Sequence, residues 1–578
     1  MVFPIKYFFH VFLIIFTIFA HTCSASTIRR IVFFKNTSFP LRCYFLKGDM
    51  DGPTILVQGG IQGDEISGVL TAEMLLHAKV KKGNLIVIPR ANVPAILHYT
   101  RGINVDLNRR FDKDYKKFYE DHLARAIKLI ASFSDGLIHL HEGSGFYSPI
   151  YINELRNPRR FGQSYIIDTT VYKRHINLEA VVKKAILKLN SYIKNKHYSF
   201  NIFNTNTISS TTKYPEQRKS FSYYTLTRLE KPAFAIEVSK DIKNVLWKTD
   251  VQLRATKYVL AELGVDVILP DVKNYFDLMS QEIKGIKVFF NGQDITNKKY
   301  LEVSPFLNIG IRNCNTKEVV HEEIGIISNK MAGLNLLTLK YLPYKGINSI
   351  ILSIDGKRVK KWDLRIDNKK ESIFPKRQNI FVCQLNNKLI MVPSGGSISA
   401  WEGDRLVLLG LLNGSGDEVI NLKGYLTRAG KNIGQDLYSD IILNRDFFIP
   451  KYLTFSEERK IWTCDVVAED RGLSNLSFKI VVHPLPPAYI MLYNKEVQAI
   501  IGLDSDSQTE LPQGSYKLQL IPSFLDKRIV LLKDRVPLDC EEFSLKKGEK
   551  VSLYAIDSNL GVIKGKISLI AISKKRGS

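Results

Sequence analysis

Gln62 and Glu65 stand three residues apart in the segment Gly59-Gly60-Ile61-Gln62-Gly63-Asp64-Glu65, which follows the apolar run Thr54-Ile55-Leu56-Val57. A turn opening into a helix at this point sets both side chains on one face. His141 lies in Leu137-Ile138-His139-Leu140-His141-Glu142-Gly143, a second apolar run that enters a glycine. Glu and His are ordinary ligands of catalytic zinc, whose three protein groups leave one position for water. Gln62 is the odd member, because its donor atom is a neutral amide oxygen. The same residues have a plainer reading, with Gln62 and Asp64 as helix caps and Glu65 as a first-turn carboxylate favoured by the helix dipole.

Two further segments add to this set. In Arg101-Gly102-Ile103-Asn104-Val105-Asp106-Leu107-Asn108-Arg109-Arg110-Phe111, the planar fork of an arginine suits both oxygens of a terminal carboxylate, and Asn108 adds a neutral donor. In Phe234-Ala235-Ile236-Glu237-Val238, a carboxylate ends an otherwise apolar strand, where burial without a purpose is costly. Beside a metal, Glu237 would act as a general base; without one it would pair with a nearby Lys or Arg.

The elements that must hold these side chains alternate. Thr54–Val57, Leu85–Ile88, Leu137–Gly143 and Pro232–Ile236 read as buried strands, and residues 66–78, 178–194 and 243–263 carry helical spacing of apolar residues. Such alternation predicts an α/β domain with a mainly parallel or mixed sheet. After Pro270 the pattern changes to short alternating runs separated by Gly, Asn and Asp, the mark of all-β sandwich, immunoglobulin-like or barrel modules. The expected units are a signal peptide over 1–26, an α/β domain over 27–272, and β-rich units over 273–375, 376–483 and 484–578.

Composition narrows the partners. The 578 residues are 45% apolar and 11% aromatic, as in a globular protein too long for a single core. The formal charge is +25, spread along the whole chain. No nucleic-acid signature accompanies it, so no nucleic-acid partner is expected. An anionic envelope surface is one expected partner, and a merely solvated basic surface is the other reading. The apolar run Tyr7–Ala20 followed by Cys23-Ser24-Ala25-Ser26 has the order of a cleavable export signal, the alternative being an N-terminal anchor. No later stretch is long and apolar enough to span a bilayer. Six scattered cysteines specify neither a disulfide framework nor a metal site.

Taken in order, Gly-x-x-Gly-Asp-Glu after a strand, Asp-Leu-Asn-Arg, Leu-His-Glu-Gly and Ile-Glu-Val resemble the zinc carboxypeptidase family, with its carboxypeptidase A-like fold. The chain is similar, more narrowly, to the peptidoglycan D,L-carboxypeptidases that trim muropeptides and set the shape of curved and helical bacteria. In that subgroup the first His of His-x-x-Glu is replaced by Gln, as at Gln62. Leu140–Tyr147 and Glu216–Ser220 also look like the subgroup's phrases. The resemblance is good to about residue 270, looser to about 483, and extends no further. It implies that Gln62, Glu65 and His141 bind Zn2+, that Glu237 is the catalytic base, and that Asn108 and Arg109 bind the substrate carboxylate. Arg101 and Arg90 are further expected anion contacts. His139 shares a strand face with His141 and reads as a core histidine rather than as a support of the metal.

The implied function is removal of meso-diaminopimelate from uncrosslinked muramyl tripeptide, in the periplasm, with an influence on cell shape and with envelope proteins as partners of the β modules. The residues leave two alternatives open. One is a zinc amidase or deacylase of small N-acyl amino acids. The other is an inactive wall-binding scaffold that lost its metal when His became Gln.

Overall fold

The computed structural model describes residues 28–572, except 304–308, 314–322, 329–330, 332, 341–346, 367–378, 413–417, 427–433, 470–475, 495–497, 504–505, 524, 526–527 and 539–541. The export signal expected over residues 1–26 lies outside the described residues. Among those described, no helix is long and apolar enough to cross a membrane.

The apolar runs read as strands are longer than their most hydrophobic cores, because pairing continues into the flanking polar residues. In chain order they are β1 (Ile28–Phe33), β2 (Leu41–Lys47), β3 (Met50–Gln58), β4 (Lys79–Ile88), β5 (Gly136–Gly143), β6 (Ser164–Ile167), β7 (Asn201–Asn204), β8 (Ala233–Ser239) and β9 (Asp266–Ile268). They form one nine-stranded mixed sheet in the order β1-β2-β4-β3-β5-β8-β6-β7, with β9 beside β4. Its centre is parallel: β4, β3, β5 and β8 run together, and β6 returns antiparallel to β8. This is the expected mixed α/β sheet.

The helices are α1 (Ile66–Leu75), α2 (Val93–His98), α3 (Tyr119–Ser132), α4 (Leu178–Tyr192), α5 (Phe221–Arg228), α6 (Val245–Glu262) and α7 (Val272–Gly285). The helix expected over 66–78 stops at Leu75, before strand β4 begins at Lys79. Gln252 of α6 donates to the carbonyls of His141 and Ile236, at 2.9 and 3.1 Å, and so ties the two central strands together from beneath.

Three β-rich regions follow, each made of two sheets. Residues 286–366 form a three-stranded and a four-stranded sheet, residues 380–483 a four-stranded and a five-stranded sheet, and residues 489–572 the same pair again. Their apolar clusters centre on Trp362, on Trp462 with Phe381, and on Tyr516 with Phe543. All three regions touch the α/β domain. Ser353 Oγ donates to the Leu97 carbonyl at 2.6 Å, Phe447 stacks on His122 at 3.8 Å between ring centres, and the Phe34 amide donates to the Ser558 carbonyl at 2.9 Å. Cys43, Cys383 and Cys464 are free and buried; Cys23, Cys314 and Cys540 lie outside the described residues.

Arg90, expected as an anion contact of the site, belongs to this packing instead. Its guanidinium pairs bidentately with Asp355, at 2.7 Å for each bond, and with Glu73 at 2.5 Å, all three side chains being buried. Burial pushes the Glu73 carboxyl up to about 7 against the pull of Arg90. The cluster joins strand β4, helix α1 and the first β region. Arg90→Met leaves two buried carboxyls without their cation and is expected to cost about 3–5 kcal/mol. Chemical denaturation checks this.

Candidate active site

Two tight approaches fix the turn that carries Gln62 and Glu65. Gly60 has φ +65°, and a Cβ at Gly63 would lie 2.0 Å from the carbonyl carbon of Ala95. The turn therefore presses against the start of α2, and only glycine fits there. The following helix is not capped by Gln62 or Asp64. Glu142 reaches across from β5 and accepts from the Ser67 amide at 2.7 Å, while its other oxygen meets Lys248 Nζ at 2.5 Å. Gln62 and Glu65 are thereby left for the cleft, where they are 3% exposed each.

Strand register supplies the rest of the floor. Glu237 of β8 stands opposite His141 of β5, and Ala235 opposite His139. Across β6, Glu237 faces Ser164 and Ala235 faces Ile166. With side chains alternating along each strand, His141, Glu237, Ala235 and Ile166 share one face. One pocket is lined by Gln62, Glu65, Arg101, Asn108, Arg109, His141 and Glu237 together. The structure thus gathers seven of the eight residues singled out from the sequence, Arg90 being the exception.

Two of them meet directly. His141 Nδ1 and Glu65 Oε2 are 2.8 Å apart. Gln62 Nε2 donates to both oxygens of Asp106, at 3.2 and 3.3 Å, which turns its amide oxygen away from Asp106. Burial, then the charge of Arg101, lowers the His141 imidazole to about 3, so the ring is neutral. Burial pushes Glu65 up to about 8 despite the charge of Lys240. Glu237 is held well above the usual carboxylate range by burial and then by Glu65, and its Oε2 has no hydrogen-bond partner within the described residues. Two buried carboxyls held above their ordinary range, a neutral imidazole and an amide oxygen turned away from Asp106 fit a divalent cation. Among the described residues no three His, Cys, Asp or Glu side chains are grouped to hold a metal. A three-residue site here therefore requires Gln62.

His139 is more than a core histidine. Its Nδ1 lies 3.2 Å from His141 Nε2, and Phe221 packs edge-on against its ring. The contact fixes the orientation of His141, as outer partners of metal-ligating histidines do.

The segment 104–110, which bears Asn108 and Arg109, hangs on the first turn of α3. Glu120 accepts from the Asn104 amide at 2.9 Å and from its side chain at 3.0 Å, and Asp121 pairs with Arg110 at 2.7 and 3.1 Å. The Asn108 side-chain oxygen accepts from the Phe221 amide at 3.0 Å, which leaves its NH2 free to donate into the cleft. Asp106 is the hub. It accepts from Gln62, from Arg101 at 2.8 Å and from the Asn108 amide at 2.9 Å. Burial would raise its carboxyl, but the charges of Arg101 and Arg109 hold it below its ordinary value.

Lys240 and Asp168, which line the cleft, and Asp106, which holds Gln62, were not singled out from the sequence. Lys240 pairs with Asp64 at 2.6 Å and lies 3.7 Å from Glu65. Its place three residues after Glu237 was the one available signal.

Residues 18–286, just under half of the chain, match the model of the family described as carboxypeptidase controlling helical cell shape, catalytic. A curated relative, the N-alpha-acetyl-L-2,4-diaminobutyric acid deacetylase of Halomonas elongata, is 32% identical over 100 residues. The match covers 16% of this chain and 29% of the relative, so the chain spans less than a third of that protein. Among solved structures, the apo cell shape determinant protein of Helicobacter pylori is 22% identical, over 75% of this chain and 96% of that one, with TM-score 0.43. An mDAP-bound form of that protein, a D,L-carboxypeptidase, gives the same identity and coverage with TM-score 0.42. A succinylglutamate desuccinylase/aspartoacylase of Rhodobacter sphaeroides is 18% identical, over 43% of this chain and 67% of that one, with TM-score 0.29.

The hub makes a prediction about metal binding. Asp106→Ala frees the Gln62 amide to rotate and should weaken binding of a divalent cation by about 10–100-fold, the usual cost of losing an outer partner. Competition with a chromophoric chelator measures this without reference to turnover.

Proposed function

We propose that the chain, whose residues 18–286 match the model of carboxypeptidases controlling helical cell shape, is a zinc-dependent D,L-carboxypeptidase of peptidoglycan stem peptides. It takes uncrosslinked muramyl tripeptide and releases its terminal meso-diaminopimelate, leaving the dipeptide. The observation that carries this reading is the register that sets Glu237 opposite His141 in the cleft also lined by Asn108 and Arg109. Gln62, Glu65 and His141 are the proposed zinc ligands.

Asn108 Nδ2 and the Arg109 guanidinium receive the free terminal carboxylate, so only an uncrosslinked peptide end enters. Arg101, half exposed and already paired with Asp106, adds positive potential at the entrance. A bound zinc ion supplies a Lewis acid for the scissile carbonyl and brings the pKa of a water near neutrality. Glu237, unpaired at Oε2 and surrounded by apolar strand, takes a proton from the attacking water and hands it to the leaving nitrogen. Export to the periplasm and docking of the β modules on envelope components complete the proposal, in line with the +25 formal charge.

The similarity to the diaminobutyrate deacetylase favours a second reading, a deacylase of small N-acyl amino acids. Purified protein is expected to convert muramyl tripeptide to dipeptide, with loss of activity in a chelator and recovery with zinc. Untouched tripeptide alongside hydrolysis of small N-acyl amino acids would replace the first reading by the second. Glu237→Gln should lower kcat by about 10²–10⁴-fold with little change in zinc content.

The amide ligand has its own consequence. An amide oxygen donates less charge than imidazole, so Gln62→His should bind zinc more tightly without a gain in turnover. Equal zinc affinity of the two proteins in chelator competition would contradict this.

A further inference from the structure

Outside the cleft, four large apolar side chains stand in water within six positions. Ile150, Tyr151, Ile152 and Leu155 are 68%, 64%, 54% and 51% exposed. No other stretch of that length among the described residues holds as many large apolar side chains more than half exposed. They take no part in the chemistry above. Apolar surface gathered in this way marks a contact with a partner or with a membrane.

Hydrogen bonds fix the backbone that carries them. The Ile152 and Asn153 amides both donate to the Arg156 carbonyl at 3.0 Å. Asn153 Oδ1 accepts from the Leu155 and Arg156 amides at 2.9 and 2.8 Å, and Asn157 Nδ2 donates to the Asn153 and Glu154 carbonyls at 3.0 and 2.9 Å. At the root, Phe146–Tyr147 pairs with Arg156–Asn157, and the Phe146 amide donates to the Leu155 carbonyl at 2.7 Å. The turn is a preformed knob, so docking it costs little ordering.

Cations surround the base of the knob. Arg160 Nε donates to the Glu154 carbonyl at 2.8 Å, and Arg156 meets the carbonyl of His197, which brings Lys196 alongside. Arg159 and Lys196 are exposed, and Arg160 is half-buried. Two acids stand among them: Glu154 accepts from the Tyr151 hydroxyl at 2.9 Å, and Asp241 from the Gly145 amide at 2.7 Å. Arg156, Arg159, Arg160 and Lys196 outnumber them, so the base is net positive. A knob of four side chains falls short of the roughly 800 Å² per partner that a stable protein contact buries. A bilayer asks for less, because apolar tips enter the headgroup region while cations stay beside anionic phosphates.

We propose that the knob 150–155 docks the protein on an anionic phospholipid surface, with Ile150, Tyr151, Ile152 and Leu155 entering the headgroup layer and Arg159, Arg160 and Lys196 facing the phosphates. Gly143 and Ser144 line the cleft and lead directly into the root of the knob, so a docked knob holds the cleft beside the lipid.

The test is co-sedimentation with vesicles of phosphatidylcholine alone, or of equal parts phosphatidylcholine and phosphatidylglycerol. The purified chain from residue 27 on is used, which holds every described element and omits the apolar run 7–20. The wild type should sediment with the mixed vesicles at least about 10-fold more tightly than with phosphatidylcholine, and less so as salt rises. Ile150→Ser with Ile152→Ser should weaken that binding by about 10–100-fold, and Arg159→Gln with Lys196→Gln by about 10-fold.

A wild type that ignores the mixed vesicles overturns the proposal, and this arm needs no variant to fold. Equal binding to both kinds of vesicle overturns it as well. Binding that follows lipid charge but is indifferent to the isoleucine changes marks a merely basic surface and overturns the role of the knob. Sedimentation velocity covers the remaining occupant. A dimer that the isoleucine changes dissociate, without vesicle binding, makes the knob a contact between copies and overturns the lipid assignment. None of these measurements reads turnover, so the hydrolytic reading stands or falls separately.

Discussion

The site depends on the in-register parallel pairing of β5 with β8. Side chains alternate strictly along a strand, so a slip of one residue would turn Glu237 away from the cleft and put Ile236 or Val238 in its place. Opposite His141 in the observed register, Glu237 shares with it the face that Gln62 and Glu65 overhang. The register is held from below by Gln252, whose amide donates to carbonyls on both strands. It is held at the strand ends by Glu142, which ties β5 to the first turn of α1 and to Lys248 of α6. These are side chains of the scaffold, and they position the chemistry without touching it.

Charge in the cleft is arranged around two groups with opposite tendencies. Asp106 is pulled below its ordinary value by Arg101 and Arg109, so it stays ionised and orients the Gln62 amide and the Asn108 backbone. Glu65 and Glu237 are pushed up by burial, Glu237 also by the charge of Glu65, with Lys240 the counter-charge beside Glu65. The first region is electrostatically complete. The second carries an excess of acid that a divalent cation would relieve, and the oriented amide of Gln62 connects the two.

What was legible in the sequence follows from how local each signal is. Gln62, Glu65, His141 and Glu237 sit at the ends of apolar runs next to glycines or small residues, so a single segment reveals strand, turn and cleft-facing polar group. Arg90 has the same outward signature, an arginine after the strand Leu85–Ile88. Its partners are 17 and 265 residues away, and no local pattern distinguishes an arginine facing a cleft from one neutralised by a distant module. Asp168 was hidden for the converse reason. Its segment has no motif, and its place in the cleft comes from an antiparallel return of β6 that only pairing with β8 defines. In the β regions alternation revealed strands, while the pairing of sheets rests on contacts far apart in sequence.

Helix α3 explains why an α/β domain with its own core packs so closely against β modules. Its first turn is shared between two tasks. Glu120 and Asp121 hold the segment 104–110 that bears Asn108 and Arg109, while Tyr119 stacks on Phe39 at 4.9 Å and His122, one residue further on, stacks on Phe447 of the second β region at 3.8 Å. Burial keeps His122 neutral, so the stack behaves as an aromatic contact and not as an ion pair. Any tilt of this turn moves the segment 104–110, because both acidic side chains bind it in two-point fashion. A surface helix free on one side would leave that loop to thermal motion. Covering the turn with Phe447 ties the placement of Asn108 and Arg109 in the cleft to core packing and not to a free loop.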